Sequence, residues 1–472
     1  MFCRRWSGLP AEPKFEPDLK KLGYFVNEDD EIRDYHKPDF YFKYFLTKNT
    51  RYNDCQRFAF NVAVGNIIDS RLAAEGLKEV LLPLGVASKD EPHVKIRLSE
   101  DIADKKSRVV IIVGQSFQDF GILAHRVASG AGGLNKGSLV NMVRAIKQQK
   151  SSATDETAPG IILANPGQLW WWPEGKMAVT DFARHQVPGS SLVHWGYYHD
   201  PERNTVPENE TPADHVKYIF EKVVPQFVKD DAKIDVIALG DMSDEVEQYF
   251  DNDKVWAKIG HKMNAMVVLG GFFDMREARC QDFKKFMDER GRAYINSSEP
   301  LDTLIAGPEG GDPAVTGYVG YGCPTYSVGP NAAITELILI EAGSAVLQWL
   351  QKVALDQNYV NERVNIPVPE KEPEMDDAEF FGWGKKDGAD GSNEVSLKEV
   401  MGDGVAKGVD HDKEAENIFL TVAADDYLQP PKDETLDQAI NRKLAEEIAR
   451  RVKMEKDGIP DTADAAESED ED

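Results

Sequence analysis

The sequence predicts an α/β fold: a doubly wound, mostly parallel sheet, followed by an acidic, largely disordered C-terminal tail. Three observations carry this expectation. Four apolar runs rich in branched side chains, "SRVVIIVG" (107–114), "GIILANPG" (160–167), "KIDVIALG" (233–240) and "AMVVLGGFFD" (265–274), have the continuity of strands buried on both faces. Between them lie stretches whose apolar residues recur three and four apart, the period of a helix packed on one side. Strands alternating with helices at this spacing imply crossover units and a parallel sheet. Finally, the composition changes after residue 363. From Val364 onward, 31 Asp/Glu stand against 13 Lys/Arg, a net charge of −18, while the preceding residues carry −9.

Taken in order, residues 1–50 form an aromatic, charged extension expected to pack on the domain, with "FYFKYFLTKN" (40–49) as an edge strand. The domain proper is expected over 51–360. It opens with "RYNDCQRFAFNVAVGNIIDSRLAAEG", a helix by its spacing of Phe58, Val62, Gly65 and Ile68, closed by Gly76. "KEVLLPLG" is a short strand. "GSLVNMVRAIKQQ" (137–149) is an amphipathic helix with Ser138 as its N-cap. "PADHVKYIFEKVVPQFV" (212–228) is a helix interrupted or ended at Pro225. "EARCQDFKKFMDERG" is a helix, "RAYINSS" a strand, "TYSVG" (325–329) the last short strand, and "NAAITELILIEAGSAVLQWLQKVAL" (331–355) a long closing helix. Residues 361–472 are an acidic linker and tail. One helix is expected there at 433–454, where Leu436, Ile440, Leu444, Ile448 and Val452 recur every four residues.

A formal net charge of −27 over 472 residues argues against direct nucleic-acid binding, which needs an excess of Lys and Arg on the phosphates. Cys3, Cys55, Cys280 and Cys323 are far apart and form no C-x-x-C, so neither a zinc site nor a disulfide framework is expected. No metal or cofactor is predicted. "MFCRRWSGLPAEPKF" lacks the apolar run of a secretory signal, and no stretch has the ~20 apolar residues of a membrane span. The expected location is intracellular, nuclear and/or cytoplasmic, without a membrane partner.

The stretch "KIDVIALGDMSDEVEQYF" (233–250) carries the chemical question. A strand, a sharp turn at Gly240 and a helix follow the grammar of the hydrolase nucleophile elbow, G-x-S-x-G. Read in that frame, the nucleophile position holds Met242 and the closing glycine is Asp244. Ser243 is one residue late. The triad order of that fold is Ser, acid, His, and Asp274 could stand for the acid. The only later histidine is His411, in the tail, so no base is available to deprotonate a serine. "GQSFQDFG" (114–121) stands where an oxyanion loop would lie, and places Ser116 there. "GAGGLNKGS" (130–138) has the composition of a phosphate loop but not its G-K-[ST] order, so nucleotide binding is not expected. In "NPGQLWWWPEG" (165–175), three successive tryptophans follow a strand and cannot all point inward on an ordinary loop. An exposed aromatic patch at Trp170, Trp171 and Trp172 is therefore a candidate partner site, against burial on the sheet.

"KKLGYFVNEDDEIRDYHKPDFYFKY", "VVIIVGQSFQDFGILAHRVASGAGGLNKGSLVNMVRAI", "GIILANPGQLWWWPEG", "HVKYIFEKVV" and "GCPTYSVGPNAAITELILIEA", with the 51–83 helix and strand, resemble a fungal member of the Argonaute-binding "Arb-two" domain family over roughly residues 20 to 355. The resemblance implies an α/β-hydrolase-like fold used mainly for protein interaction. Its founding member belongs to an Argonaute small-interfering-RNA chaperone complex that supports heterochromatin assembly. A related domain ends class II histone deacetylases. Some animal relatives keep an elbow serine and a His-Glu pair before the last helix. Here Met242 replaces that serine, and Ala333 and Ile334 stand at the pair. The resulting expectation is a non-catalytic module with a vestigial pocket at Gly114, Gln115, Ser116, Gly240, Asp241, Met242 and Ser327. Its partners would be proteins, Argonaute or a silencing or histone-modifying complex. The alternatives are a serine hydrolase with an unorthodox site at Ser243, Ser116 and Asp274, or a pseudo-hydrolase that binds a small molecule.

Overall fold

The computed structural model describes residues 9–363 and 366, apart from 195, 317, 318 and 333. The chain divides into two units, Met1–Glu372 and Pro373–Asp472, and every described residue lies in the first. The 433–454 helix and Ala333 fall outside the described residues.

Among the described residues there are fourteen strands. A hairpin of β1 (Tyr24–Val26) and β2 (Ile32–Asp34) opens the fold. There follow β3 (Leu77–Leu82), β4 (Val94–Ser99), β5 (Arg108–Val113), β6 (Gly160–Ala164), the hairpin strands β7 (Trp170–Trp172) and β8 (Met177–Val179), β9 (Lys233–Leu239), β10 (Met263–Leu269), β11 (Gly291–Ile295), β12 (Leu304–Gly307), β13 (Gly310–Gly311) and β14 (Thr325–Ser327). Ten of these form one sheet in the order β13-β12-β14-β11-β10-β9-β5-β6-β4-β3. The six strands from β14 to β6 are parallel. β4 runs against β6 and β3, and β12 against β14 and β13.

The apolar runs of the sequence divide between two cores by the alternation of a strand. Val109, Ile111 and Val113 of β5, with Ile234, Val236 and Ala238 of β9, enter one core. Val110 and Ile112, with Ile237 and Leu239, enter the other. Helices Pro212–Tyr218, Asp241–Phe250, Asp253–Ile259 and Gln281–Arg290 cover the first face through Val216, Phe250, Trp256 and Phe283. Helices Thr50–Ala74, Val140–Ile146 and Ile338–Leu355 cover the second through Ile68, Val143 and Val346. Asn49 caps the first of these, its side chain accepting the Tyr52 N–H at 2.9 Å, and Gly76 closes it at φ 80°.

Several local expectations differ from the fold. The 40–49 segment is not a strand: Phe42 leaves the chain path to stack on Phe60, 4.0 Å between ring centroids, and plugs the second core. Ser138 is not an N-cap; the helix starts at Val140, with Leu139 at the cap. Pro225 does not interrupt the 212–227 helical path. A π-helical stretch, Ile219–Val223, precedes it and widens the turn where proline cannot donate. Strands β4, β12 and β13 carry too mixed or short a pattern to stand out in the sequence.

Candidate functional site

The loops after β5, β9 and β10 gather at the carboxyl ends of the parallel strands, where open α/β sheets hold their ligands. The strand-to-helix turn after β9 is a sharp elbow, but its apex is not Met242. β9 ends at Leu239 and the helix begins at Asp241, so Gly240 alone makes the turn, at φ 56° and ψ −131°. Only glycine takes this conformation without strain. In three dimensions the nucleophile position is therefore Gly240. Met242 sits inside the helix, fully buried in the first core. Counting from a glycine in the sequence put the frame two residues late; the turn itself sets it.

A side chain at the apex would have to displace the Gln115 amide. A Cβ on Gly240 would lie 2.6 Å from Gln115 Nε2 and 3.2 Å from Thr335 Cγ2. Gln115 comes from the loop after β5 and Thr335 from the turn before the closing helix. Asp241 ties that loop down, its Oδ1 accepting the Ser116 N–H at 3.3 Å. The structure thus brings Gln115, Ser116, Gly240 and Asp241 together, with Gly114 at the start of the same loop.

The remaining residues of the expected site have structural work elsewhere. Ser243 is fully buried; its Oγ donates to the Ala238 carbonyl at 2.9 Å and accepts from the Leu269 N–H at 3.3 Å, joining the helix to β9 and β10. Asp244 accepts the N–H groups of Phe272 and Phe273 at 2.7 and 2.9 Å. Burial pushes its carboxyl up, only partly offset by those bonds. Asp274 forms an ion pair with Arg276 at 2.5 Å. Burial would raise its carboxyl, but the Arg276 bonds hold it below the ordinary range. Ser327 donates to the Glu299 carbonyl at 2.7 Å and is buried in β14. Ser243, Ser116 and Asp274 are joined by no hydrogen bond. Ser327 and Met242 belong to packed interior rather than to a pocket.

The tryptophans are a second correction. Trp170 and Trp171 are 4% and 2% exposed and Trp172 is half-buried, so they form no exposed patch. They make a strand, β7, paired with β8 and covered on both sides. Trp170 and Trp172 face Phe58 of the first helix, while Trp171 enters the first core beside His93. Burial, the alternative to an exposed patch, is realised here by a strand sandwiched between layers, which buries consecutive side chains on opposite faces.

Sequence reading also missed His215 and Glu247. His215 is fully buried between the Asn165 N–H, which donates to Nε2 at 3.1 Å, and Asn209 Oδ1, 2.7 Å from Nδ1. Burial pulls its ring down to about 3. Glu247 is fully buried with neither oxygen hydrogen-bonded, and burial raises its carboxyl well above the ordinary value. No motif surrounds either residue; only the tertiary packing marks them.

A strand-to-helix elbow on a mostly parallel sheet, with this strand order and helices on both faces, defines an α/β-hydrolase-like fold, here with glycine at the apex. The chain belongs to the Arb2 domain family, whose sequence profile matches residues 15–301. No curated protein matches the chain. Among solved structures it is similar to the esterase LipW from Mycobacterium marinum, at 10% identity over 66% of this chain and 91% of that one, with a TM-score of 0.30. It is also similar to carboxyl esterase 2 from the mycorrhizal fungus Tuber melanosporum, at 10% identity over 59% and 87%, with a TM-score of 0.28. Neither likeness bears on activity.

Proposed function

We propose that this chain is a non-catalytic interaction module that keeps an α/β-hydrolase-like fold without its nucleophile. One observation carries the reading. The elbow apex is Gly240, and the space a nucleophilic side chain would need is occupied by Gln115 and Thr335. The segment between β14 and the closing helix, residues 328–337, contains no histidine. A serine hydroxyl without a base is a poor nucleophile at neutral pH. The finer reading rests on the Arb-two resemblance: the partner is Argonaute in a small-interfering-RNA chaperone complex, the setting heterochromatin assembly, and the location nuclear and/or cytoplasmic. Contact with RNA would then pass through the protein partner.

Two measurements test this. The purified chain is expected to give no turnover of a nitrophenyl ester and no labelling by a fluorophosphonate. Turnover or labelling that vanishes in Ser116→Ala would sink the non-catalytic reading and point to the loop after β5. Affinity capture from the native cells is expected to recover Argonaute. If it does not, the silencing role falls while the non-catalytic reading stands.

A further inference from the structure

Beside the elbow, but separate from it, lies a cavity of about 320 Å³. Gln115, Gly240 and Asp241 do not line it. Its walls are the first helix, the loops after β5 and β6, the β8 strand and the short turn at Phe182–His185. It therefore opens beyond the carboxyl ends of β5 and β6, in the region where such sheets take ligands. Its volume is at the small end of the ~300–1,000 Å³ of ligand pockets.

The lining is chemically uneven. Four permanent cations, Arg57, Lys89, Lys95 and Lys176, face two carboxylates, Glu79 and Asp119, in a chain that is acidic overall. The three lysines are already engaged: Lys89 by Glu79 at 2.6 Å, Lys95 by Asp69 at 3.1 Å and Lys176 by Asp90 at 2.9 Å. Asp119 is taken by His125 at 2.8 Å and by Gln168 at 2.9 Å. Among the described residues Arg57 forms no ion pair. Its guanidinium is half-buried and lies 5.8 Å from the Tyr44 ring. Gln186, only 5% exposed, also lines the cavity. His93, held by an Nδ1 hydrogen bond to the Glu91 carbonyl at 2.8 Å, stands in the wall. Flat apolar walls complete the site, with Phe58 and Phe120 buried and Phe117 and Phe182 exposed.

We propose that this cavity binds a small organic anion, a carboxylate or phosphate monoester on a flat apolar body, with its charge on Arg57 and its body between the phenylalanines. Among the described residues, the Arg57 guanidinium is the lining Lys/Arg side chain without an ion pair, and it can form a charge-assisted fork with anionic oxygens. The Gln186 side-chain N–H groups, which can donate to anionic oxygens, would complete the polar contacts. The site needs no elbow chemistry and stands whether or not the non-catalytic reading does.

Phenyl phosphate, benzoate and neutral benzamide are titrated calorimetrically into the full chain. A ligand of ~10 heavy atoms at ordinary efficiency binds in the millimolar range. The expected result is saturable one-site binding of phenyl phosphate or benzoate, at least tenfold tighter than benzamide. The stronger of the two anions identifies which oxygen group the site takes. Arg57→Gln should weaken it at least tenfold with an unchanged thermal melt. If that variant does not fold, Phe182→Ala, at an exposed wall, should weaken binding instead. Absence of saturable binding by either anion up to about 10 mM, equal binding of benzamide, or full affinity in Arg57→Gln or Phe182→Ala would overturn the proposal.

Discussion

His215 and Glu247 are both fully buried and both sit at positions where the neutral form is favoured, yet they couple stability to pH in opposite directions. The His215 ring is pulled to about 3, below its unfolded value. Between roughly pH 6.5 and 3 the unfolded chain therefore binds a proton that the native chain refuses. The stability from this ring is complete above that window and is lost as pH falls, by roughly 1.4 kcal/mol per unit. Denaturant unfolding between pH 7.5 and 5 should show this slope, and His215→Gln should remove it. Equal slopes in both proteins would contradict the assignment. Glu247 has the reverse sign, because its folded value is raised. Above the ordinary carboxylate range the native state holds a proton that the unfolded state releases, so the group costs more stability as pH rises. Glu247→Gln, an isostere of the protonated acid, should gain on the wild type as pH rises above the ordinary carboxylate range. A constant difference would show that Glu247 titrates normally.

The element that departs furthest from its sequence reading is β7. Its three tryptophans look like a surface anchor because loops ordinarily lie on the outside. The tertiary structure makes the segment a strand instead, clasped by Asn204, whose carbonyl accepts the Trp171 N–H at 2.8 Å and whose side-chain amide donates to the Trp171 carbonyl at 2.9 Å. Trp171→Ala is thus expected to cost ~3–5 kcal/mol of folding stability, as large-to-small core changes do. Trp172→Ala should cost less, because the ring is half-buried. Chemical denaturation checks both, and a loss under about 1 kcal/mol for Trp171→Ala would return the residue to the surface. The elbow differs from its reading in a narrower way. The strand, the turn and the helix were legible from "KIDVIALGDMSDEVEQYF", but the apex was not. Which residue bends is decided by where the β9 ladder stops, and that depends on β5 and β10 beside it.

At the scale of the molecule, charge and fold act on different problems. The first 363 residues carry −9 and the rest −18, so few phosphates could be neutralised by the whole chain. In a mobility-shift experiment at about 200 mM salt, the purified protein should leave a small-interfering-RNA duplex unshifted. A tight shift under those conditions would refute the indirect connection to RNA. The sheet itself depends on a buried network that no periodicity shows. Arg108 Nε lies 2.5 Å from Asp235 Oδ2, Asn264 donates to Asp235 Oδ1 at 2.7 Å, and Arg290 bonds Asn264 and the Tyr359 carbonyl. Asp235→Ala would leave the Arg108 charge uncompensated in the interior. A loss of ~3–5 kcal/mol is expected, measurable by denaturant unfolding, and a neutral effect would show that solvent reaches the site.

Taken alone, the sequence determined the fold class, the main parallel strands and their helices, and that no histidine lies between Asp274 and the end of the closing helix. Those follow from local information: apolar continuity, helical spacing and residue counts. Only the tertiary structure decided that Gly240 is the apex, that Gln115 and Thr335 fill its space, that Ser243 is an interior bridge and that the tryptophans are core. The reason is physical. Side-chain direction at a turn, and whether a segment has one covered face or two, depend on neighbours distant in the chain. Gln115 precedes Gly240 by two crossovers, β5 to β6 and β6 to β9, and Thr335 follows it by the five strands β10 to β14.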